Sequence, residues 1–385
     1  MQEGSMKKQR VVLGALVVCL VAAAASLAGL AAAKPAKKEA AFKVAWIYPG
    51  PHNDGGWSQA HDAGRLYVQK MLGDKVQTTY KENVFSNASV PQIVAGLVRD
   101  GYQMIFGASF GQFELGVNGQ LYAKYPKVLF EQATGLQVKP NQAEYFGAGE
   151  DTIYLSGMAA GAATKKGVIG YVAAYGIPEV VRHINAFTLG AQATHPGAKV
   201  RLVWTNSWFS PPKETAAAKA LVAAGADVLG QNVDSPAAGV FAEKRGIPWV
   251  GYDSDAKKFA PKQWLTAAVY NWGPYYLKRV KAAMGGTWKP GFYYGSIKDG
   301  FTGLAPYGPG VSAKTKAAIA KKRALIVSGK WNEFCGPIHD QAGKLRIPKG
   351  RCLDPNTKAG IAALYSMQWL VRGVIGSVSH VQPPG

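Results

Sequence analysis

The sequence predicts an α/β protein built from two doubly wound lobes with a ligand cleft between them. Three observations lead there. Short apolar runs rich in β-branched and aromatic residues alternate with stretches of helical spacing, which is the rhythm of βαβ units and therefore of parallel sheets. That rhythm runs from Phe42 to about Phe146 and restarts at Val168. The segments joining strand to helix are rich in Gly, Pro, Asn, Asp and Trp, and in open α/β sheets such turns form the carboxyl edge where ligands sit.

The first unit opens on FKVAWIYPGPHNDGGWSQAH, Phe42 to His61. Val44 to Tyr48 reads as a buried strand that stops at Pro49-Gly50-Pro51. Asn53-Asp54-Gly55-Gly56 supplies a capping side chain and permissive backbone, and Trp57 to Gln69 has helical spacing. A tryptophan directly after Gly55-Gly56 either packs in the core or offers its face to a planar ligand. Strands follow at Val76 to Glu82, Met104 to Phe106 and Val128 to Glu131, with helices at Val90 to Arg99 and Glu114 to Tyr125. Ser109 and Phe110 come straight after the Met104 strand, so they fall at the same sheet edge as Trp57. A helix over Ile153 to Thr164 contains Gly157 and Gly161, small residues suited to close packing.

The second unit has strands at Val168 to Ala173, Lys199 to Thr205, Val228 to Gly230, Trp249 to Tyr252 and Leu265 to Tyr270. Helices fall at Pro178 to Ala193, Pro212 to Ala224 and Pro236 to Arg245. Its post-strand residues include Trp208, Asp234, Asp253, Asp255 and Asn271. Beyond it the pattern predicts a helix at Pro274 to Met284, a strand at Phe292 to Gly300, a helix at Lys314 to Ser328, a hairpin between Trp331 and Asp354 and a last helix at Ile361 to Val374. The expected division is an N-terminal lobe of residues 42–165 plus 271–288 and a C-terminal lobe of 166–270 plus 289–385.

The first 33 residues read as an export signal: Lys7, Lys8 and Arg10, then an apolar run from Val11 to Ala28, then Ala31-Ala32-Ala33 before Lys34. Cleavage near Ala33 gives a periplasmic protein, with residues 34–41 as a flexible lead-in. Lipid anchoring at Cys19 is the lesser alternative, because Val18 is not the small residue that normally precedes a lipobox cysteine. The whole chain carries a formal net charge of +21, and losing residues 1–33 removes three basic residues and one acidic one, leaving +19. Its Lys and Arg residues are scattered and lack the aromatic interleaving of a nucleic-acid binder, so no specific nucleic-acid role is expected.

Only Cys335 and Cys352 remain after such cleavage, 17 positions apart around a turn-rich stretch. In an oxidising compartment they make a disulfide. A metal pair is the alternative, weakened because His339 is the only other soft ligand nearby. No metal site and no cofactor are expected.

FKVAWIYPGPHNDGGWSQAHDAGR, YKENV, IFGASFG, FEQATG, YLSGMAAG, IGYVAAYGIPEVVRHINAFTLGA, VWTNSWFSPPKE, GADVLGQNVDSP, GYDSDAKKFAP and VYNWGPYY together resemble the BMP family, the PnrA-like substrate-binding proteins of ABC transporters. The resemblance spans nearly all of the chain after the signal. It implies a type I periplasmic-binding-protein fold, lobes that close by a hinge on a purine base or nucleoside, an ABC permease as partner, and action as a monomer.

Carried over by position, the resemblance makes Trp57 and Trp208 an aromatic clamp, and Asp234 and Asp253 polar contacts to the ligand. A turn or cap role is the alternative for Asp253. Gly56, Ser109, Phe110 and Asn271 complete the expected site. The chain departs from the nucleoside-binding pattern in two places: Gly56-Trp57-Ser58 replaces a Ser-Phe-Asn, and Tyr270-Asn271-Trp272 stands where relatives place a lysine. Both changes affect groups that would hold a ribose, which favours a free base such as adenine over a nucleoside.

Catalysis, for example nucleoside hydrolysis by the scattered Asp residues, is disfavoured. The acidic residues lie on different loops, and there is no GxSxG nucleophile elbow. An envelope adhesin is a third reading, and it would not need two tryptophans facing one cleft.

Overall fold

The structure is a computed structural model that describes residues 40–135 and 137–383. The expected export signal, and residues 34–39 of the lead-in, lie outside the described residues. No helix among the described residues is long and apolar enough to cross a membrane.

In chain order the first elements are β1 (Phe42–Ile47), α1 (Trp57–Leu72), β2 (Val76–Lys81), α2 (Val90–Arg99), β3 (Met104–Gly107), α3 (Leu121–Lys124), β4 (Leu129–Ala133), β5 (Gln142–Gly147) and α4 (Gly149–Ala163). Next come β6 (Val168–Ala173), α5 (Pro178–Thr194), β7 (Lys199–Trp204), α6 (Pro211–Ala223), β8 (Val228–Asn232), α7 (Ala237–Arg245), β9 (Trp249–Asp253), β10 (Trp264–Tyr270) and α8 (Trp272–Met284). The chain closes with β11 (Phe292–Gly295), β12 (Thr302–Leu304), α9 (Ala313–Val327), β13 (Ile338–His339), β14 (Leu345–Ile347), α10 (Lys358–Tyr365) and β15 (Val374–Ile375).

Two sheets organise these elements. The first has the order β11-β5-β4-β3-β1-β2 with every neighbour parallel. The second has the order β12-β10-β9-β8-β6-β7-β15, parallel except where β12 runs against β10. In each, strand order reverses at the first strand, β1 or β6, and these reversals are the crevices where a doubly wound sheet receives a ligand. The two crevices share one pocket here.

The chain crosses between the sheets at places the rhythm did not mark. β11 pairs with β5, Phe292 opposite Glu144, so the first sheet extends to Gly295 rather than ending at residue 288. α8 returns to this sheet because the Tyr275 hydroxyl and Trp288 indole N–H each donate to the buried Glu131 carboxylate at 2.7 Å, beside an Arg279–Glu131 ion pair. α4, expected on the first lobe, packs instead against α5 of the second. The backbones touch there: a Cβ on Gly157 would stand 2.2 Å from the Phe187 carbonyl oxygen, and one on Gly190 would stand 2.0 Å from that of Tyr154.

Other expected elements are shorter. The stretch from Glu114 becomes a 3₁₀ turn at Gly116–Gln120 and the single turn of α3, broken by its glycines. The strand from Phe292 stops at Gly295, where Asp299 accepts from the Ser296 backbone N–H and hydroxyl and folds the chain into a turn. The last helix ends at Tyr365, and Gly373, at φ +106°, turns the chain so that Val374 and Ile375 pair alongside Val200 and Arg201 of β7. Cys335 and Cys352 are bonded to each other and close the loop that carries the antiparallel β13–β14 pair.

Candidate functional site

The pocket lies where the carboxyl edges of the two sheets meet. Its lining comprises Pro49, Trp57, Ser109, Phe110 and Thr134 from the first sheet and Glu179, Trp208, Asn232, Asp234 and Tyr252 from the second. Counting its open mouth it holds about 350 Å³.

Asp54 builds the first wall. Its carboxylate accepts the backbone N–H groups of Gly56, Ser58 and Gln59 at 2.8, 2.9 and 3.0 Å, which caps the start of α1 and orients Trp57. The Trp57 indole donates to the Ala108 carbonyl at 2.6 Å and meets Trp272 edge-on at 5.5 Å. Trp57 is therefore both a core residue and a pocket wall. Trp272 is wholly buried and stacks on His61 at 4.2 Å. Thr134, just past β4, sits at φ +61° with its hydroxyl buried and unpartnered among the described residues.

The second wall is acidic. Glu179 occupies the first turn of α5, and burial, offset in part by Arg182, pushes its carboxyl up to about 7. Asp234 follows β8, and burial together with the Asp54, Glu214 and Glu179 carboxylates raises it well above the usual range. Its backbone N–H donates to the Trp208 carbonyl at 2.9 Å, which ties the loops after β7 and β8 together. Trp208 itself is half-buried, with Tyr175 edge-on at 5.0 Å.

Behind this wall His183 is buried, and burial holds its imidazole well below the usual range. The Asn232 amide nitrogen lies 3.2 Å and the Tyr252 hydroxyl 3.3 Å from its Nδ1. Among the described residues no Lys, Arg or His lines the pocket, in a chain of net charge +21. Among the described residues no group of three or more His, Cys, Asp or Glu is arranged to hold a metal ion.

Five of the expected residues come together at the pocket: Trp57, Ser109, Phe110, Trp208 and Asp234. Three stand elsewhere. Gly56 packs on the Asp234 carbonyl between the lobes. Asn271 is exposed, and its amide donates to the Gly300 carbonyl at 3.4 Å. Asp253 lies wholly buried behind Tyr252 at φ +64°. Sequence reasoning missed Pro49, Thr134, Glu179, Asn232 and Tyr252. The signal for Glu179 was present: it opens a helix directly after a strand edge, the same context that singled out Trp57.

The family described as ABC transporter substrate-binding protein, PnrA-like (Bmp), matches residues 41–330 of this chain. The chain belongs to the Bmp family. As a Bmp protein it is an extracytoplasmic substrate-binding component of an ABC transporter, a class that binds small molecules and delivers them to a permease and that is not enzymatic. Among relatives, a purine-binding protein of Brucella abortus is 40% identical over 350 residues, covering 91% of this chain and 97% of its own. A candidate glucose-binding protein of an ABC transporter in Haloferax volcanii is 34% identical over 296 residues, 76% of this chain and 74% of its own. Among solved structures, an ABC transporter solute-binding protein from Aeropyrum pernix superposes with a TM-score of 0.66 at 16% identity, over 78% of this chain and 93% of its own. This likeness places the Bmp chain in the type I solute-binding fold.

Proposed function

We propose that this protein captures a purine nucleobase, adenine-like, in the pocket between its two sheets and hands it to an ABC permease. The observation that carries the reading is that Trp57 and Trp208, contributed by opposite sheets, line the same pocket as a set of buried hydrogen-bond acceptors. Aromatic faces suit a flat ring, and carboxylates suit its N–H groups. The purine-binding relative supports the ligand class. Preference for the base over its nucleoside is supported by the bulky Trp57 after Gly56 and by a lining that offers no lysine to ribose hydroxyls. Asp253 and Asn271 are assigned supporting roles, behind the pocket and at a crossover. The protein is proposed to work as a periplasmic monomer after cleavage near Ala33.

Isothermal titration of residues 34–385 against adenine, adenosine, guanosine, hypoxanthine and glucose tests the reading. Adenine is expected to bind tightest. Tighter binding of adenosine and guanosine would return the pocket to the nucleoside class, and binding of glucose alone would overturn the purine assignment.

A further inference from the structure

We propose that Glu179 selects purines by a 6-amino group, so that the pocket accepts 6-amino purines and discriminates against their 6-oxo counterparts such as hypoxanthine. This deepens the purine reading and rests on it.

The polar lining consists of the Glu179 and Asp234 carboxyls, Asn232, Thr134, Ser109 and Tyr252. No hydrogen bond or ion pair from a described side chain or backbone group occupies the Glu179 or Asp234 carboxyl, although Glu179 is 8% and Asp234 5% exposed. The Asn232 amide nitrogen is engaged with His183 Nδ1, and its Oδ1 is left buried without a partner. The Tyr252 hydroxyl stands at the same imidazole nitrogen, 3.3 Å away. What faces the pocket on this side is two carboxyl groups without hydrogen-bond partners and the Asn232 amide; the buried Arg182 guanidinium acts on Glu179 electrostatically but is not among the lining residues. A buried acceptor left unmatched opposes binding, so the ligand must arrive with N–H groups.

An exocyclic amine meets this demand. While Glu179 is ionised, above the value of about 7 to which burial raises it, an oxygen at the same ring position places lone pairs against a carboxylate, and an anionic purine adds like charge. In either protonation state the Glu179 carboxyl keeps an acceptor oxygen for the amine. The protonated form offers a donor to the neighbouring ring nitrogen of adenine and equally to a 6-oxo oxygen, so the discrimination belongs to the ionised form. The basic exterior therefore surrounds a pocket of opposite preference.

The experiment compares adenine, hypoxanthine and unsubstituted purine by titration calorimetry at about pH 8, where Glu179 is ionised, on the intact protein and on Glu179→Gln, whose amide can donate to an oxo group as well as accept. The unaltered protein is expected to favour adenine over both other ligands by about tenfold or more, the scale of one mismatched buried hydrogen bond. In Glu179→Gln the adenine-to-hypoxanthine ratio is expected to fall by about tenfold. An unchanged ratio, or an equal loss for all three ligands, overturns the role of Glu179 while leaving purine capture standing. No binding of any purine by the unaltered protein overturns both readings. Should Glu179→Gln fail to fold, adenine against unsubstituted purine on the unaltered protein still decides: equal affinity rejects selection by the amine.

Discussion

A Cβ placed on Gly56 would stand 2.2 Å from the carbonyl oxygen of Asp234, on the opposite side of the pocket. Next to it, the Ser254 hydroxyl donates to the Gly55 carbonyl, and Gly55, at φ +89°, lies against Pro236. The two lobes meet at backbone level here, with no room for a methyl group.

Gly56→Ala is accordingly expected to hold the lobes apart. Small-angle scattering with saturating ligand should give a larger radius of gyration than the unaltered protein, and ligand affinity should fall at least tenfold, since closure adds part of the binding free energy. Thermal stability without ligand should change little. An unchanged liganded radius would mean that the contact yields.

The two tryptophans should behave differently on truncation. Trp57→Ala removes a buried ring and an anchored indole N–H, costing about 3 to 5 kcal/mol of stability as well as binding. Trp208→Ala removes a half-buried ring, so its melting temperature should stay within a few degrees while affinity for a purine drops by about 1 to 3 kcal/mol, the usual worth of one base–aromatic stack. Parallel melts and titrations separate the two; equal stability loss for both would contradict the distinction.

Stability should decline as pH rises from about 4.5 to 7. Burial raises Glu179, Glu214 and Asp151 each to about 7. In that window the folded chain holds protons that the unfolded chain, with ordinary carboxylate values near 4, has released, so ∂ΔG of unfolding with pH is negative. The contribution is complete below the unfolded values and is lost by the time pH passes the folded ones. A melting series at fixed ionic strength measures this, and a flat or rising profile over the window would count against it.

Reducing the Cys335–Cys352 bond should lower stability by about 3 kcal/mol, the chain-entropy scale for a loop of this length. Denaturant melts with and without reductant report it, and ligand affinity should not change, because the bond does not border the pocket between the sheets. Coincident melts would mean the loop is already constrained by its other contacts.

Much of the architecture was legible because parallel strands buried on both faces leave continuous apolar runs, as at Val168–Ala173 and Met104–Gly107. β5 was not legible. Its sequence, QAEYFG, includes Gln142 and Glu144, yet all six residues are buried, and burial pushes the Glu144 carboxyl up to about 10 so that it sits neutral in the sheet. The sheet to which a helix docks is also invisible to local rhythm. Gly157 and Gly161 announced a close approach but not that its partner is α5. At the site, the aromatic residues and Asp234 stood out by their position after strands. Asn232, Tyr252 and Thr134 did not, because an ordinary residue at the end of a strand becomes a pocket wall only when the other sheet swings over it.

The pairing of β15 with β7 bears on how this chain behaves in company. The family-matched region stops at residue 330, and the strand that lies along Val200 and Arg201 comes from the segment beyond it. The Trp204 indole donates to the Ser377 carbonyl at 2.8 Å, and the Ser379 hydroxyl to Asn206 at 3.0 Å, so the tail follows this rim past the strand end. Without it, the rim from Lys199 to Trp204 would present a row of open backbone donors and acceptors, the template on which sheets of separate molecules join. Residues 374–379 thus act as a hem along this rim, covering a strand edge on which the next molecule could otherwise be continued.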